Sequence, residues 1–268
     1  MVEQGKTYLV MGLLDHDSIA YAIGKTIQSL GGNVVYTVHN ERMKKLFLDG
    51  RRSKLSDEER DNLNIRFCDI TIEDEVKTLF ADIGPLGGVV HSIAFANPKT
   101  CLGEEFHTSE IDDIMLSHHI SCISLATVTR YAQPNMADGG SVVAMTFDAT
   151  HTFPFYNWMG VQKAALEGLV RALARRHGRD LVRVNAVSAG PLSTMAATKI
   201  PGFSQMAEVW NTSSPLPWNP NEDRQAVADA VTYLLGPYSK KITGQVLKVD
   251  GGASIVSGPL MPYEKRQA

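Results

Sequence analysis

The chain has 268 residues, 44% of them hydrophobic and 21% charged, with a formal net charge of −3. That length fits one large α/β domain better than two small ones, and the composition is that of a chain that buries a sizeable core. So small a net charge points to neither a nucleic-acid nor an anionic-membrane partner. No apolar run approaches the ~20 residues of a spanning helix, and the segment from Met1 to Lys6 lacks the basic and apolar regions of a secretory signal. Cys68, Cys101 and Cys122 are odd in number and lack metal-ligand spacing. They read as small buried thiols in a reducing, cytoplasmic setting.

Thr7-Tyr8-Leu9-Val10-Met11 is a short apolar run ending at Gly12. Being apolar on both faces, it reads as a central parallel strand. Ser18 to Ile23 opens a helical pattern that stops near Gly31-Gly32, and Asn33 to Val38 is a second strand. A basic helix from about Glu41 leads to a third strand, Ile65 to Cys68. A helix through Val76 to Phe80 leads to a fourth, Gly88 to Ile93. Ser141 to Met145, Val182 to Val187 and Gln245 to Val249 complete the set. Strands alternating with helices imply right-handed βαβ units and a Rossmann-type, doubly wound α/β fold with helices on both faces of a parallel sheet. No break in composition marks a second domain, so 1–268 reads as one. Leu48 to Asn62 is charged and reads as an exposed loop. Leu192 to Asn219, with several Pro, Ser and Thr, reads as a mobile flap over the substrate.

In such a sheet, ligands sit at the carboxyl ends of the strands where the chain order reverses. The first turn, Gly12 to Ala20, is not GxGxxG. It keeps Gly12, and Ser18 is placed to cap the helix and offer a hydroxyl to a phosphate. Asp15-His16-Asp17 and His118-His119 do not make a metal site, because side chains this close in sequence diverge. His118 reads as a packed or hydrogen-bonded histidine. Tyr156 and Lys163 lie seven residues apart at the start of a helical pattern, about 20° short of two full turns, and so share a face. An ammonium near a phenol favours its anion, and such a phenol can donate a proton or hydrogen bond to a developing oxyanion. Spacing alone leaves open an aromatic core residue and a surface lysine in accidental register.

Several segments together resemble the bacterial enoyl-acyl-carrier-protein reductases, a divergent branch of the short-chain dehydrogenase/reductase superfamily. They are Gly12 with Ser18-Ile19-Ala20, Asp69-Ile70, His91-Ser92-Ile93-Ala94-Phe95, Tyr156-(six residues)-Lys163, Ser188 to Ala196, and Val249-Asp250-Gly251-Gly252. The superfamily's usual reductases have three residues between Tyr and Lys, and their usual serine would fall here at Val143. The resemblance implies a seven-stranded parallel sheet, a homotetramer, and NADH-driven reduction of a trans-2-enoyl thioester carried on acyl carrier protein. Gly12, Ser18 and Ile19 would hold the pyrophosphate and neighbouring ribose, and Asp69 and Ile70 would flank the adenine. Ser92 would belong to the cofactor site, with Ile93 along the nicotinamide ribose. Lys163 would bind that ribose's hydroxyls, and Leu192, Ser193, Thr194, Met195 and Ala196 would contact the carboxamide. Ala96, Phe147 and Met159 would face the acyl chain, and Tyr156 would stabilise the enolate.

Two departures accompany the likeness. Thr146-Phe147-Asp148 carries no second tyrosine ahead of Tyr156, as in the mycobacterial long-chain branch, which hints at longer acyl chains. Ser193 stands where the family often has arginine. After the second strand, where a residue near the strand's end usually meets the adenosine ribose, the chain has His39-Asn40-Glu41-Arg42, whose Glu41 would repel a 2′-phosphate. Neutral His39 and Asn40 suit a hydroxyl, so NADH is expected ahead of NADPH, which Arg42 and Lys44 leave possible. The rival readings are a reductase of another unsaturated thioester in secondary metabolism and an NAD(P)-binding regulator without turnover.

Overall fold

The protein is described from a computed structural model, over residues 1–50, 53–103 and 105–258. Its strands are β1 Thr7–Met11, β2 Asn33–Val38, β3 Ile65–Phe67, β4 Gly88–His91, β5 Gly140–Thr146, β6 Val182–Ala189 and β7 Val246–Val249. All neighbours pair in parallel in the order β3-β2-β1-β4-β5-β6-β7. Each strand expected from sequence is present. β4 ends at His91, two residues early, and β6 continues two residues further to Ala189.

Burial explains why these runs were readable. Alternate residues of the central strands feed two separate apolar layers. Tyr8, Val10, Val143, Met145 and Val187 face one; Leu9, Met11, Val142, Ala144 and Val184 face the other. With both faces covered, nearly every position is apolar. Helices α1 (Ile19–Ser29) and α9 (Arg224–Leu235) pack side by side on the first layer. Helices α4 (Glu73–Ile83), α6 (Ser124–Ala132) and α7 (Asn157–His177) cover the second.

Two expected loops contain helices. After α2 (Glu41–Phe47), the charged stretch forms α3 (Asp57–Asp61). Ser56 caps it in a capping box with Glu59, while Leu48 and Leu55 are buried in the first apolar layer. The capping box starts this helix despite its charge. The segment expected as a flap likewise carries a 3₁₀ turn at Ala197–Lys199 and helix α8 (Phe203–Ser213). Phe203 and Trp210, seven residues apart, bury one stripe of α8 against the body. Helix α5 (Ile111–His118) runs into α6 through one π-helical turn, His119–Ile123.

Candidate active site

The sheet order reverses between β1 and β4, so the crevice opens there. Gly12 ends β1 with φ 88°, and a Cβ at that position would overlap the Ser92 carbonyl and lie 3.2 Å from Ile93 Cγ1. Only glycine allows the first turn to lie this close to the chain leaving β4. At the start of α1, the Ser18 hydroxyl accepts from the Tyr21 N–H at 3.3 Å and donates to the Asp15 carbonyl at 2.6 Å. Its one proton is therefore committed within the turn. An anion here meets backbone N–H groups at the head of α1, beginning at Ile19, rather than a serine donor. Asp17 holds Lys54 at 2.5 Å and Arg224 at 3.3 Å. Burial would raise its carboxyl, but the bonds from Lys54 and His16 outweigh that and lower it.

At the adenosine end, exposed His39 has Nε2 3.8 Å from Asp69 Oδ2. Asp69 Oδ1 accepts from the Thr71 N–H and hydroxyl at 2.9 and 2.7 Å, and Ile70 is buried beside it. The Asn40 side chain caps α2 through the Met43 N–H. Lys45 pairs with Glu41 and Lys44 with Asp49, while Arg42 is exposed.

Tyr156 and Lys163 are 8% and 5% exposed, at the head of α7. Lys163 Nζ donates to the Met145 carbonyl near the end of β5 at 2.9 Å. Burial pulls its ammonium down to about 8, against opposing contributions from Cys122 and Glu167. Burial also pushes the Tyr156 phenol well above its usual range. The expectation that the ammonium would favour a phenolate is therefore corrected: desolvation dominates, and Tyr156 is held as a neutral O–H donor. The Tyr156 ring stands edge-on to Phe147 at 5.0 Å.

Neighbouring elements fix this arrangement. The π turn directs Ser121 Oγ to both the N–H and the C=O of Phe95, at 3.0 Å each, which holds the segment carrying Ile93 and Ala96. His118 Nδ1 bonds the Gln162 side-chain oxygen, so this histidine ties α5 to α7, in line with the hydrogen-bonded role read from sequence. His91, fully buried, bonds Ser124 Oγ at 2.7 Å. Burial, helped by the Lys163 charge, drives it down to about 3 and keeps it neutral. Burial alone would raise Asp148. Bonds from Thr150 and His151, with Lys248 at 3.3 Å, bring it down to about 2.

The flap leaves β6 at the same end. Leu192 is buried, Ser193 N–H donates to the Pro220 carbonyl at 2.8 Å, and Thr194 Oγ1 accepts from Ala197 N–H at 3.1 Å. Met195 is half-buried and Ala196 exposed. Ala96, Phe147, Met159 and Tyr156 all belong to the apolar layer that also holds Trp210. Phe147 is ringed by Phe153 at 4.7 Å and Trp210 at 5.4 Å. Phe153 and Trp210 line this candidate site, and sequence reasoning did not single them out. The signal available was two aromatic residues in segments otherwise rich in Ser, Thr and Pro.

Known proteins resemble the chain over most of its length. A family profile described as Enoyl-(Acyl carrier protein) reductase matches residues 12–254. The chain is 34% identical over 259 residues to the NADH enoyl-[acyl-carrier-protein] reductase FabI of Bacillus subtilis (strain 168), covering 95% of this chain and 98% of that one. It is 36% identical over 254 residues to the NADPH enzyme FabI of Staphylococcus aureus (strain MRSA252), covering 93% and 96%. The crystal structure of the Bacillus cereus enoyl-acyl carrier protein reductase with NADP+ and indole naphthyridinone superposes with a TM-score of 0.85 at 31% identity, over 95% of this chain and 98% of that one. With the profile spanning most of the chain and the likeness extending across the whole sheet and its flap, the chain belongs to the enoyl-acyl-carrier-protein reductase family.

Proposed function

We propose that the chain is an NADH-dependent enoyl-acyl-carrier-protein reductase of fatty acid biosynthesis, a single catalytic domain whose flap, 192–219, covers a trans-2-enoyl thioester. The observation that carries this reading is the Tyr156–Lys163 pair, buried together at the head of α7 with Lys163 Nζ on the Met145 carbonyl. The Gly12 cradle, which a Cβ would fill, and the head of α1 suit a dinucleotide pyrophosphate. When bound, the reduced nicotinamide supplies a hydride to the β-carbon of the enoyl group.

The chain's own residues do the rest. Gly12, Ser18 and Ile19 form the pyrophosphate turn, with Ser18 shaping it as a cap. His39, Asp69 and Ile70 receive the adenosine; Ser92 and Ile93 line the nicotinamide half with Leu192 to Ala196. Lys163 holds ribose hydroxyls with its ammonium. As charge develops on the thioester oxygen, the neutral Tyr156 phenol donates to it, strongest where water is excluded. Ala96, Phe147 and Met159 face the acyl chain, and Trp210 of the flap closes over Phe147. Steady-state NADH oxidation with crotonyl and longer enoyl thioesters, free and on acyl carrier protein, tests the reading. Tight NADH binding without turnover would favour a regulator, and turnover confined to another unsaturated thioester would favour a secondary-metabolic reductase.

NADH is preferred in this reading because Lys44 is already paired with Asp49 and His39 faces the Asp69 carboxylate, which repels a 2′-phosphate. Catalytic efficiency with the two cofactors at low salt decides it. A tenfold preference for NADPH, about 1.4 kcal/mol, would mean that Arg42 or His39 reaches the phosphate.

A homotetramer fits two exposed apolar faces: Ile111, Met115, Ile123 and Val161 around α5 and α7, and Leu247 with Ile255 at the open β7 edge. Met115→Glu with Val161→Glu should yield a smaller species in sedimentation, and an unchanged mass would refute that face. The three unpaired, buried thiols suit a cytoplasmic location.

A further inference from the structure

Tyr156 itself has ordinary backbone angles, φ −81°, but its two neighbours do not. Phe155 has φ 64° and Asn157 φ 37°. Asparagine visits the left-handed region readily because its short amide bonds locally, and here Asn157 Nδ2 donates to the Gly103 carbonyl. Phenylalanine has no such compensation. A bulky residue persists there only where its surroundings hold it.

Two contacts hold Phe155. Its carbonyl accepts from the Gly103 N–H at 3.2 Å. Its ring lies against the Cα of Gly202, where a Cβ would come within 2.6 Å of Cδ2 and 2.9 Å of Cε2. Gly202, with φ 71°, is the residue that opens α8. The ring thus reaches from the turn carrying Tyr156 to the residue that caps the flap helix. Further along α8, Trp210 packs on Phe147, whose ring stands against Tyr156. The flap helix therefore touches both supports of the phenol, one by chain and one by ring.

We propose that Phe155 is a positioning residue that transmits flap docking to Tyr156. With the flap seated, Gly202 holds the Phe155 ring, the strained turn is kept, and the phenol points at the thioester oxygen. With the flap lifted, the turn relaxes and the phenol leaves line. The inference rests on the reading of Tyr156 as the enolate's hydrogen-bond donor.

Three variants test it: Phe155→Asn, Gly202→Ala and the double. Phe155→Asn suits the backbone and removes the ring, so melting temperature is held or raised and the NADH dissociation constant is unchanged. The rate constant kcat falls roughly ten- to a hundred-fold, as expected for a misaligned catalytic group, with KM little altered. Amide exchange across Phe203–Ser213 quickens. Gly202→Ala drives a Cβ into the ring and also lowers kcat, and it costs less in the Phe155→Asn background, where the ring is gone. Wild-type kcat and wild-type α8 exchange in Phe155→Asn overturn the proposal, as do strictly additive effects in the double variant. If the parent binds NADH but turns over no enoyl thioester, the functional reading fails on its own. The α8 exchange of Phe155→Asn then still decides the contact between turn and flap.

Discussion

Raising the pH from 7 to 9.5 should weaken cofactor binding by up to about 30-fold while leaving the fold intact. Lys163 is buried, and its ammonium titrates near 8 rather than at the 10.5 of an unburied lysine. It is mostly charged at pH 7, and only about 3% charged 1.5 units above its midpoint, a difference of about 2 kcal/mol. If the ammonium binds ribose hydroxyls, the dissociation constant rises as pH passes through 8, and NADH binding near that pH takes up a proton. Stability moves the other way. Between about 8 and 10.5 the unfolded chain holds a proton on this lysine that the folded chain does not, so stability from this group rises with pH across that window. Weaker binding at pH 9.5 therefore cannot be unfolding. NADH fluorescence titrations from pH 6.5 to 9.5, on the parent and on Lys163→Met, measure the effect. The variant should bind weakly and without this pH dependence. A flat dissociation constant in the parent, or the same slope in Lys163→Met, would refute an ammonium on the ribose.

Tyr156→Phe keeps the ring against Phe147 and removes one donor, so turnover with a saturating enoyl thioester should fall on the order of 10²–10³, with NADH affinity unchanged. Wild-type turnover would remove Tyr156 from the chemistry. Gly12→Ala should abolish NADH binding, because the added methyl overlaps the Ser92 carbonyl and the backbone there is left-handed. Calorimetry showing normal affinity would argue against a cofactor in this crevice. His91 stays neutral when folded down to about 3 but takes a proton near 6.5 when unfolded, so stability falls as pH drops below 6.5. By pH 5 the loss is on the order of 2 kcal/mol, and urea midpoints of a His91→Gln variant should show a shallower acid slope.

The strands and the shared face of Tyr156 and Lys163 were legible in sequence because each leaves a local trace. A strand buried on both faces is an unbroken β-branched run, as in Val89-Val90 or Val142-Val143, and a helix brings Tyr156 and Lys163 together by pitch alone. The features that escaped are made by distant contacts. Whether the Ser18 proton is free depends on where the Asp15 carbonyl points. Helix α8 exists because Phe203 and Trp210 find a surface, not because Ser, Thr and Gly favour helix. The elevated Tyr156 phenol is a property of the enclosing layer, since spacing reports a neighbour but not its desolvation. The left-handed Phe155 has no sequence signal, because phenylalanine is a poor choice for that conformation and only its packing partners reveal it.

The flap's later half is stapled to the body by two indoles. Trp210 Nε1 donates to the Asp250 carbonyl at 2.9 Å and Trp218 Nε1 to the Pro191 carbonyl at 2.8 Å. Both acceptors are main-chain oxygens, which every residue type supplies, so the staples survive sequence drift in the body so long as the two tryptophans are kept. Ahead of α8, from Met195 to Pro201, the chain connects the Pro191 end to the helix that Trp210 anchors, and lengthening such a connection costs little, about 0.6 kcal/mol per doubling. If this segment covers the acyl chain as proposed, insertions and substitutions in that arc change acyl preference while the sheet stays as it is. Divergence should accumulate there first, with Trp210 and Trp218, both on its C-terminal side, left standing.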